Sequence, residues 1–340
     1  MDAKEKFDLI KRNTQEILGE EELKKLIKSK KQVSFYWGTM PTGSISIAYF
    51  FPMMKVADFL RAGIKVKILI ADLHAALDSV PWEELNKRVK YYKNAIELIL
   101  KTIGVDMKKP EFVKGSELQL DKNYFEDLLK LSTVTSLHDS NKAASEGIKS
   151  ASGEIIKLSG LIYPLMQALD EEYLKVDAQF AGMDQRKIMV YAREFLPKIG
   201  YKRRIELMNP IIRGLMGEKM SSSLEGTKID LMDDEETVRR KMNKAECISG
   251  NPDNGIMALV KYLVFGVKSE FVIERPEKFG GNKIYKNYFS LEEGFKAKEV
   301  HPLDLKNSVA REINLLLKNF RESKTIKKLH KEAYPEFYKK

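Results

Sequence analysis

The sequence predicts an α/β fold: a Rossmann-like doubly wound parallel sheet with a helical insertion, followed by a mostly helical C-terminal domain. Three observations predict it. Strand-like and helix-like segments alternate over about the first 120 residues, the signature of a doubly wound sheet. One strand, "KVKILIADL", is almost continuously apolar, as a parallel strand buried on both faces should be. A helical stretch then interrupts the alternation, which resumes and finally gives way to helix beyond Asp233.

Taken in order, residues from about Lys4 to Ser29 read as charged amphipathic helices. "QVSFYWG" is a strand candidate, rich in β-branched and aromatic residues. It breaks at "TMPTG", and "ISIAYFFPMMKVADFLRAG" continues with apolar residues at helical spacing and Gly63 as a stop. After the apolar strand, "WEELNKRVKYYKNAIELILKTIG" is a second helix closed by Gly104, and "PEFVKGSEL" is a short strand. From about Asp121 to Tyr173 the pattern is helical. "KVDAQFAG" and "IELMNPII" restore strands, with the helix "MDQRKIMVYAREFL" between them. The expected organisation is an N-terminal helical segment over 1–30, a catalytic domain over 31–233 with its insertion at about 121–173, and a helical domain over 234–340. The boundary between the last two is soft, because no low-complexity linker marks it.

A chain of 340 residues is too long for one ordinary core and suits two domains. With 43% hydrophobic and 32% charged residues it is globular in composition. The net charge of +10 points to a polyanionic partner, nucleic acid first. A single cysteine, Cys247, excludes an intrachain disulfide and a Cys-rich zinc site, and the four histidines are scattered. The charged N-terminus has no signal-peptide core, and no apolar run is long enough to span a bilayer. A reducing cytoplasm is therefore the expected compartment.

Two loops carry the chemistry. "TMPTGS" follows the first strand and leads into a helix, whose N-terminus offers free N–H groups to an anion. Gly43 permits close backbone approach. "GEKMSSSLEG", at residues 217–226, combines one lysine, three serines and flanking glycines. Hydroxyls, backbone N–H groups and a mobile cation are what a polyphosphate grip needs, although such a string taken alone reads equally as a solvated loop. Neither GxxxxGK[ST] nor a GxGxxG after a strand is present, so a nucleotide enzyme here is not a P-loop protein. In "YPLMQALDEEYL", Tyr163, Gln167 and Asp170 fall at i, i+4 and i+7 on one helical face. A phenol, an amide and a carboxylate together suit a binding face, or a partly exposed helix with ordinary polar residues.

These segments resemble the tyrosyl-tRNA synthetases of the eukaryotic and archaeal kind, within the class I aminoacyl-tRNA synthetases. "KMSSS" looks like their mobile KMSKS loop, and "TGSISIAYF" occupies the place of their HIGH motif. "YWGTMPTG", "ADLHAALD", "LIYPLMQALDEEYLKVDAQFAGMDQRK" and "HPLDLKNSVA" continue the likeness, which runs from about Lys30 to about Arg321. No additional C-terminal domain of the kind some eukaryotic relatives carry is expected. The resemblance implies ATP-dependent activation of tyrosine, with Mg²⁺, followed by transfer to tRNA(Tyr). Tyr163, Gln167 and Gln185 would hold the substrate's α-amino group. Asp170 and Tyr36 would bind its phenol oxygen, with His74 as a pocket wall or simply a satisfied histidine at a strand end. Gly38, Thr39, Gly43, Ser46, Lys219 and Met220 would lie along the ATP. Lys219, Ser221, Ser222 and Ser223, with Ser46, would act on the departing pyrophosphate. Phe279, His301 and Asp304 match anticodon-reading residues, and Arg186 and Lys187 would face the acceptor stem. The insertion resembles the family's dimer interface, so a homodimer is implied, with no bound metal and no tightly held cofactor.

Two other readings stand beside this one. A tryptophanyl-tRNA synthetase would not need Tyr36 and Asp170 to converge on a phenol. A catalytically impaired relative that binds tRNA or signals gains weight from one departure: Ser46 stands where the HIGH motif has its first histidine.

Overall fold

The structure is a computed structural model, and it describes residues 1–29, 31–147, 157–217 and 228–338. Helix α1 (Ala3–Lys11) opens with a reciprocal capping box between Asp2 and Glu5. Strand β1 (Glu16–Leu18) and helix α2 (Glu20–Lys28) follow. Then come β2 (Ser34–Thr39), α3 (Phe50–Arg61), β3 (Lys65–Ile70), α4 (Asp72–Leu77), α5 (Leu85–Thr102), β4 (Glu111–Lys114) and α6 (Gly115–Gln119). Gly63 and Gly104 take positive φ just beyond α3 and α5, where a side chain would be strained. The insertion is α7 (Lys122–Thr133), α8 (Leu137–Gly147) and α9 (Leu158–Tyr173). Strands β5 (Ala178–Gly182) and β6 (Ile205–Asn209) flank α10 (Arg186–Phe195).

The C-terminal part runs through α11 (Glu235–Lys244), α12 (Gly255–Leu259), a π-helical turn at Val260–Val264 and α13 (Phe265–Val267). It ends with the hairpin β7 (Phe271–Ile273) and β8 (Lys283–Tyr285), then α14 (Tyr288–Lys296), α15 (Pro302–Glu322) and α16 (Lys324–Ala333). Side chains of Asp234, Asn254, Asn287, His301 and Ser323 cap α11, α12, α14, α15 and α16.

The six-stranded sheet has the order β1-β6-β5-β2-β3-β4, all parallel except β1. The chain builds outward from β2 to β4 and then returns to β2's other side with β5. The switch point of the sheet therefore lies between β2 and β5, where such folds bind ligands beyond the strand ends. Residues 16–18, expected to be helical, form β1 and pair antiparallel with β6. Three residues are too few for a readable period, and only the neighbouring edge of β6 makes them a strand. The hairpin β7–β8 is likewise strand inside a stretch expected to be helical.

The chain divides into two compact units. One is Met1–Thr42, Lys55–Lys93 and Asp106–Ile211; the other is Gly43–Met54, Asn94–Val105 and Ile212–Lys340. In the first, alternation along β2 sends Phe35 to one sheet face, where Phe59 of α3 meets it edge-on and also meets Phe180 of β5. Tyr36 faces the opposite side, where it packs with Leu69, Ala71, Leu174 and Val176. A separate apolar cluster joins α7, α9 and α10 through Tyr124, Leu131, Leu169, Ile188 and Phe195. In the second unit Phe50 meets Phe320 of α15, and Phe51 meets Tyr262.

Candidate active site

The first unit gathers a buried polar group on the Tyr36 face of the sheet. Cross-strand register puts Tyr36, Gln179 and Glu206 side by side on β2, β5 and β6. Helix α9 contributes Tyr163, Gln167, Asp170 and Glu171, all buried. The spacing read from the sequence thus places three of the expected tyrosine-site residues on one buried helix.

Asp170 is the centre of this group. Its Oδ1 accepts from Gln119 Nε2 at 2.8 Å and from the Tyr124 hydroxyl at 2.9 Å. Tyr124 also reaches the Met166 carbonyl at 2.8 Å, so its single proton is shared between two acceptors. Gln119 additionally lies 3.2 Å from His74 Nδ1. An amide NH₂ can only donate, so Nδ1 accepts and the imidazole proton sits on Nε2. That nitrogen stands 3.9 Å from Asp170 Oδ2, beyond hydrogen-bond reach, and it has no partner among the described residues. Both tethering donors therefore fall on one carboxylate oxygen and leave the other facing an imidazole N–H across a gap.

The electrostatics follow from burial. Asp170 is 1% exposed, and desolvation pushes its carboxyl up to about 7 against the pull of Gln119 and Tyr124. His74 is pushed down to about 4 by the same cause, so the ring is neutral. Its edge meets the Tyr163 ring with centroids 4.6 Å apart. The Tyr36 phenol is held far above its usual value by burial and by Asp170, Glu171 and Glu206. Its hydroxyl donates to the Gln167 carbonyl over a long 3.4 Å. Beside it, the carboxyls of Glu171 and Glu206 are fully buried, and burial raises both. Gln185, at the N-terminal end of α10, keeps its Oε1 without a partner among the described residues, as does Gln179.

Gln119 and Tyr124 were not legible as site residues. A glutamine ending a short helix and a tyrosine in a charged one carry no period or motif. Position beyond the carboxyl end of β4 is the one signal that could have singled out Gln119.

Gly38 and Thr39 end β2. In the second unit, residues 45–47 lie antiparallel to 229–231: Ile47 N–H donates to Ile229 O at 2.8 Å, and Leu231 N–H to Ile45 O at 3.0 Å. Ser46 is buried there in an isolated bridge with Asp230, and Gly43 opens the same unit. Lys219, Met220, Ser221, Ser222 and Ser223 lie outside the described residues. Phe279 is exposed in the turn between β7 and β8, with Lys278 over its ring. His301 caps α15 by accepting from Leu303 N–H, and Asp304 sits in that helix's first turn. The residue after β7 is tied to α15, where Glu274 N–H donates to Ser308 Oγ at 3.0 Å. Arg186 forms a bidentate pair with Glu16 of β1, and Lys187 donates to Ser145.

Comparison with known proteins identifies the class. The family described as tRNA synthetases class I (W and Y) matches residues 28–318. A cytoplasmic tyrosine–tRNA ligase of Gallus gallus is 51% identical over 97% of the chain and 63% of its own length. A tyrosine–tRNA ligase of Haloarcula marismortui is 41% identical over 99% of each chain. A crystal structure of the Archaeoglobus fulgidus tyrosyl-tRNA synthetase with L-tyrosine is 38% identical, covers 96% of this chain and 99% of its own, and superposes with a TM-score of 0.86. The chain belongs to the class I tRNA synthetases of the tryptophan and tyrosine family. It spans about 63% of the length of the vertebrate relatives it matches.

Proposed function

We propose that the protein activates tyrosine with ATP and transfers it to tRNA(Tyr). The observation that carries this reading is the asymmetric tethering of Asp170. With Oδ1 held by Gln119 and Tyr124, Oδ2 is left to accept a substrate phenol, and Tyr36 supplies a second hydroxyl on the same wall. A pocket built this way disfavours phenylalanine and tryptophan, because buried polar atoms would then be left unpaired. Gln167, Gln185 and Tyr163 offer acceptors and a ring to an ammonium group.

In the first step a carboxylate oxygen of tyrosine attacks the α-phosphorus of ATP. A phosphorus–oxygen bond forms, and the bond to pyrophosphate breaks. A ribose hydroxyl at the tRNA 3′ end then takes the tyrosyl group and releases AMP. No protein nucleophile is required, so catalysis is positioning and stabilisation of charge on phosphate oxygens. ATP enters as its magnesium complex, a substrate. Gly38, Thr39, Gly43, Ser46 and Met220 line it, and Lys219 with Ser221 to Ser223 holds the leaving group. The part over 31–233 is the catalytic domain and that over 234–340 reads the anticodon through Phe279, His301 and Asp304. Arg186 and Lys187 serve the acceptor stem. A homodimer working in the cytoplasm completes the proposal. Among the described residues no helix is long and apolar enough to cross a membrane.

Pyrophosphate exchange into ATP tests it. Exchange dependent on tyrosine is expected. Exchange driven by tryptophan, or none with either amino acid, would refute it. Asp170→Ala with Tyr36→Leu should lose tyrosine activation far more than ATP affinity.

A further inference from the structure

Among the lysines of α16, His330 is fully buried. Its Nε2 meets Ser44 Oγ at 2.8 Å, and its Nδ1 meets the Tyr338 hydroxyl at 2.8 Å. Both ring nitrogens are thus satisfied by side chains far away or at the chain's end, and a buried imidazole with two good bonds is fixed in place. The Phe337 ring stands edge-on at 4.9 Å, and Tyr334 lies at 5.5 Å, so the ring has little freedom to turn. Burial pushes His330 down to about 4, with Lys228 adding to the effect and Glu336 opposing it. The imidazole is therefore neutral at physiological pH, one nitrogen donating and the other accepting.

Ser44 is the far end of this clamp. Its carbonyl accepts from Lys228 Nζ at 3.4 Å. Next to it begins the short antiparallel pairing of 45–47 with 229–231. All these residues belong to one compact unit. A leucine at 330 would fill the space with no polar group to satisfy; a histidine instead ties three separate pieces of chain to one point.

We propose that His330 is a positioning residue for the nucleotide step. By fixing Ser44 it keeps residues 43–46 in register with the chain at 228–231, and so presets the backbone that meets ATP. This rests on the proposed reaction, in which Gly43 and Ser46 contact the nucleotide. His330 touches no substrate and acts through Ser44.

The test uses the full chain with His330→Ala, His330→Gln and Ser44→Ala. Amide hydrogen exchange needs no substrate. In His330→Ala and Ser44→Ala the amides of 45–47 and 229–231 should exchange about tenfold faster, with the β2–β5 amides unchanged. In pyrophosphate exchange the KM for ATP should rise about three- to tenfold while the KM for tyrosine stays put. His330→Gln, which keeps a neutral donor and acceptor, should recover much of both losses. Unchanged protection of these segments in both alanine variants overturns the clamp. An equal rise in both KM values shows a general structural role and overturns the positioning role. A wild type that catalyses no exchange overturns the proposed reaction and the nucleotide half of this inference, while the protection pattern still decides the clamp separately. Should His330→Ala fail to fold, Ser44→Ala carries the same comparison.

Discussion

Asp170→Asn should make the protein more stable at alkaline pH while disabling the proposed tyrosine site. The native carboxyl is pushed from 3.8 up to about 7 by burial. Its folded value lies above its unfolded value, so the native state holds the proton more tightly. The native state therefore suffers no penalty below about pH 4, and stability is lost as pH rises toward about 7. At about 1.4 kcal/mol per pH unit, the full cost above pH 7 is about 4 kcal/mol, of which about 1–2 kcal/mol is already present near pH 5. Asparagine never ionises. Its oxygen can still accept from Gln119 and Tyr124, but its amide then faces the His74 Nε2–H, donor against donor, at a cost of about 1–2 kcal/mol. The two effects nearly cancel near pH 5, and near pH 8 the variant should be more stable by about 2–3 kcal/mol. Glu171 and Glu206 give the wild type a slope of the same sign, but they are present in both proteins and largely drop out of the difference. Urea unfolding of both proteins at the two pH values measures it. A variant that tracks the wild type at both would show that Asp170 ionises freely in the native state, and the reasoning would be refuted.

Ser46→His should speed adenylate formation by about ten- to a thousandfold, with little change in the KM for tyrosine, because a donor to developing phosphate charge acts mainly in the transition state. Single-turnover adenylate formation checks this, and an equal or lower rate would mean that the phosphates are held another way. Asp304→Arg should leave pyrophosphate exchange intact and lower charging of tRNA(Tyr), since the proposed function makes this carboxylate a base-edge acceptor; a joint fall in both would mark Asp304 as structural. Glu206→Gln should flatten the loss of thermal stability as pH rises above about 4.5, because it removes one carboxyl whose proton the native state retains by burial. A pH dependence of melting that stays parallel to the wild type's above that pH would count against a proton retained on Glu206.

What the sequence determined by itself is whatever a local period or a contiguous motif can encode. The apolar run of β3, the β-branched and aromatic residues of β2 and the glycine stops after α3 and α5 each lie within one short window, and the structure has a strand or a helix end at each. Tyr163, Gln167 and Asp170 share a helical face by spacing alone, and the structure buries all three. Other features depend on groups far apart in the chain, and only the tertiary structure decided them. β1 is a strand because β6, nearly two hundred residues later, offers it an edge. Gln119 and Tyr124 matter because α6 and α7 bring two donors to one oxygen of a carboxylate on α9. His330, in the lysine-rich α16, is buried with its two nitrogens met by Ser44 and Tyr338. Periodicity reports which face of an element is covered; it carries no information about which distant polar atom will be waiting there, and hydrogen bonds are specified by that partner.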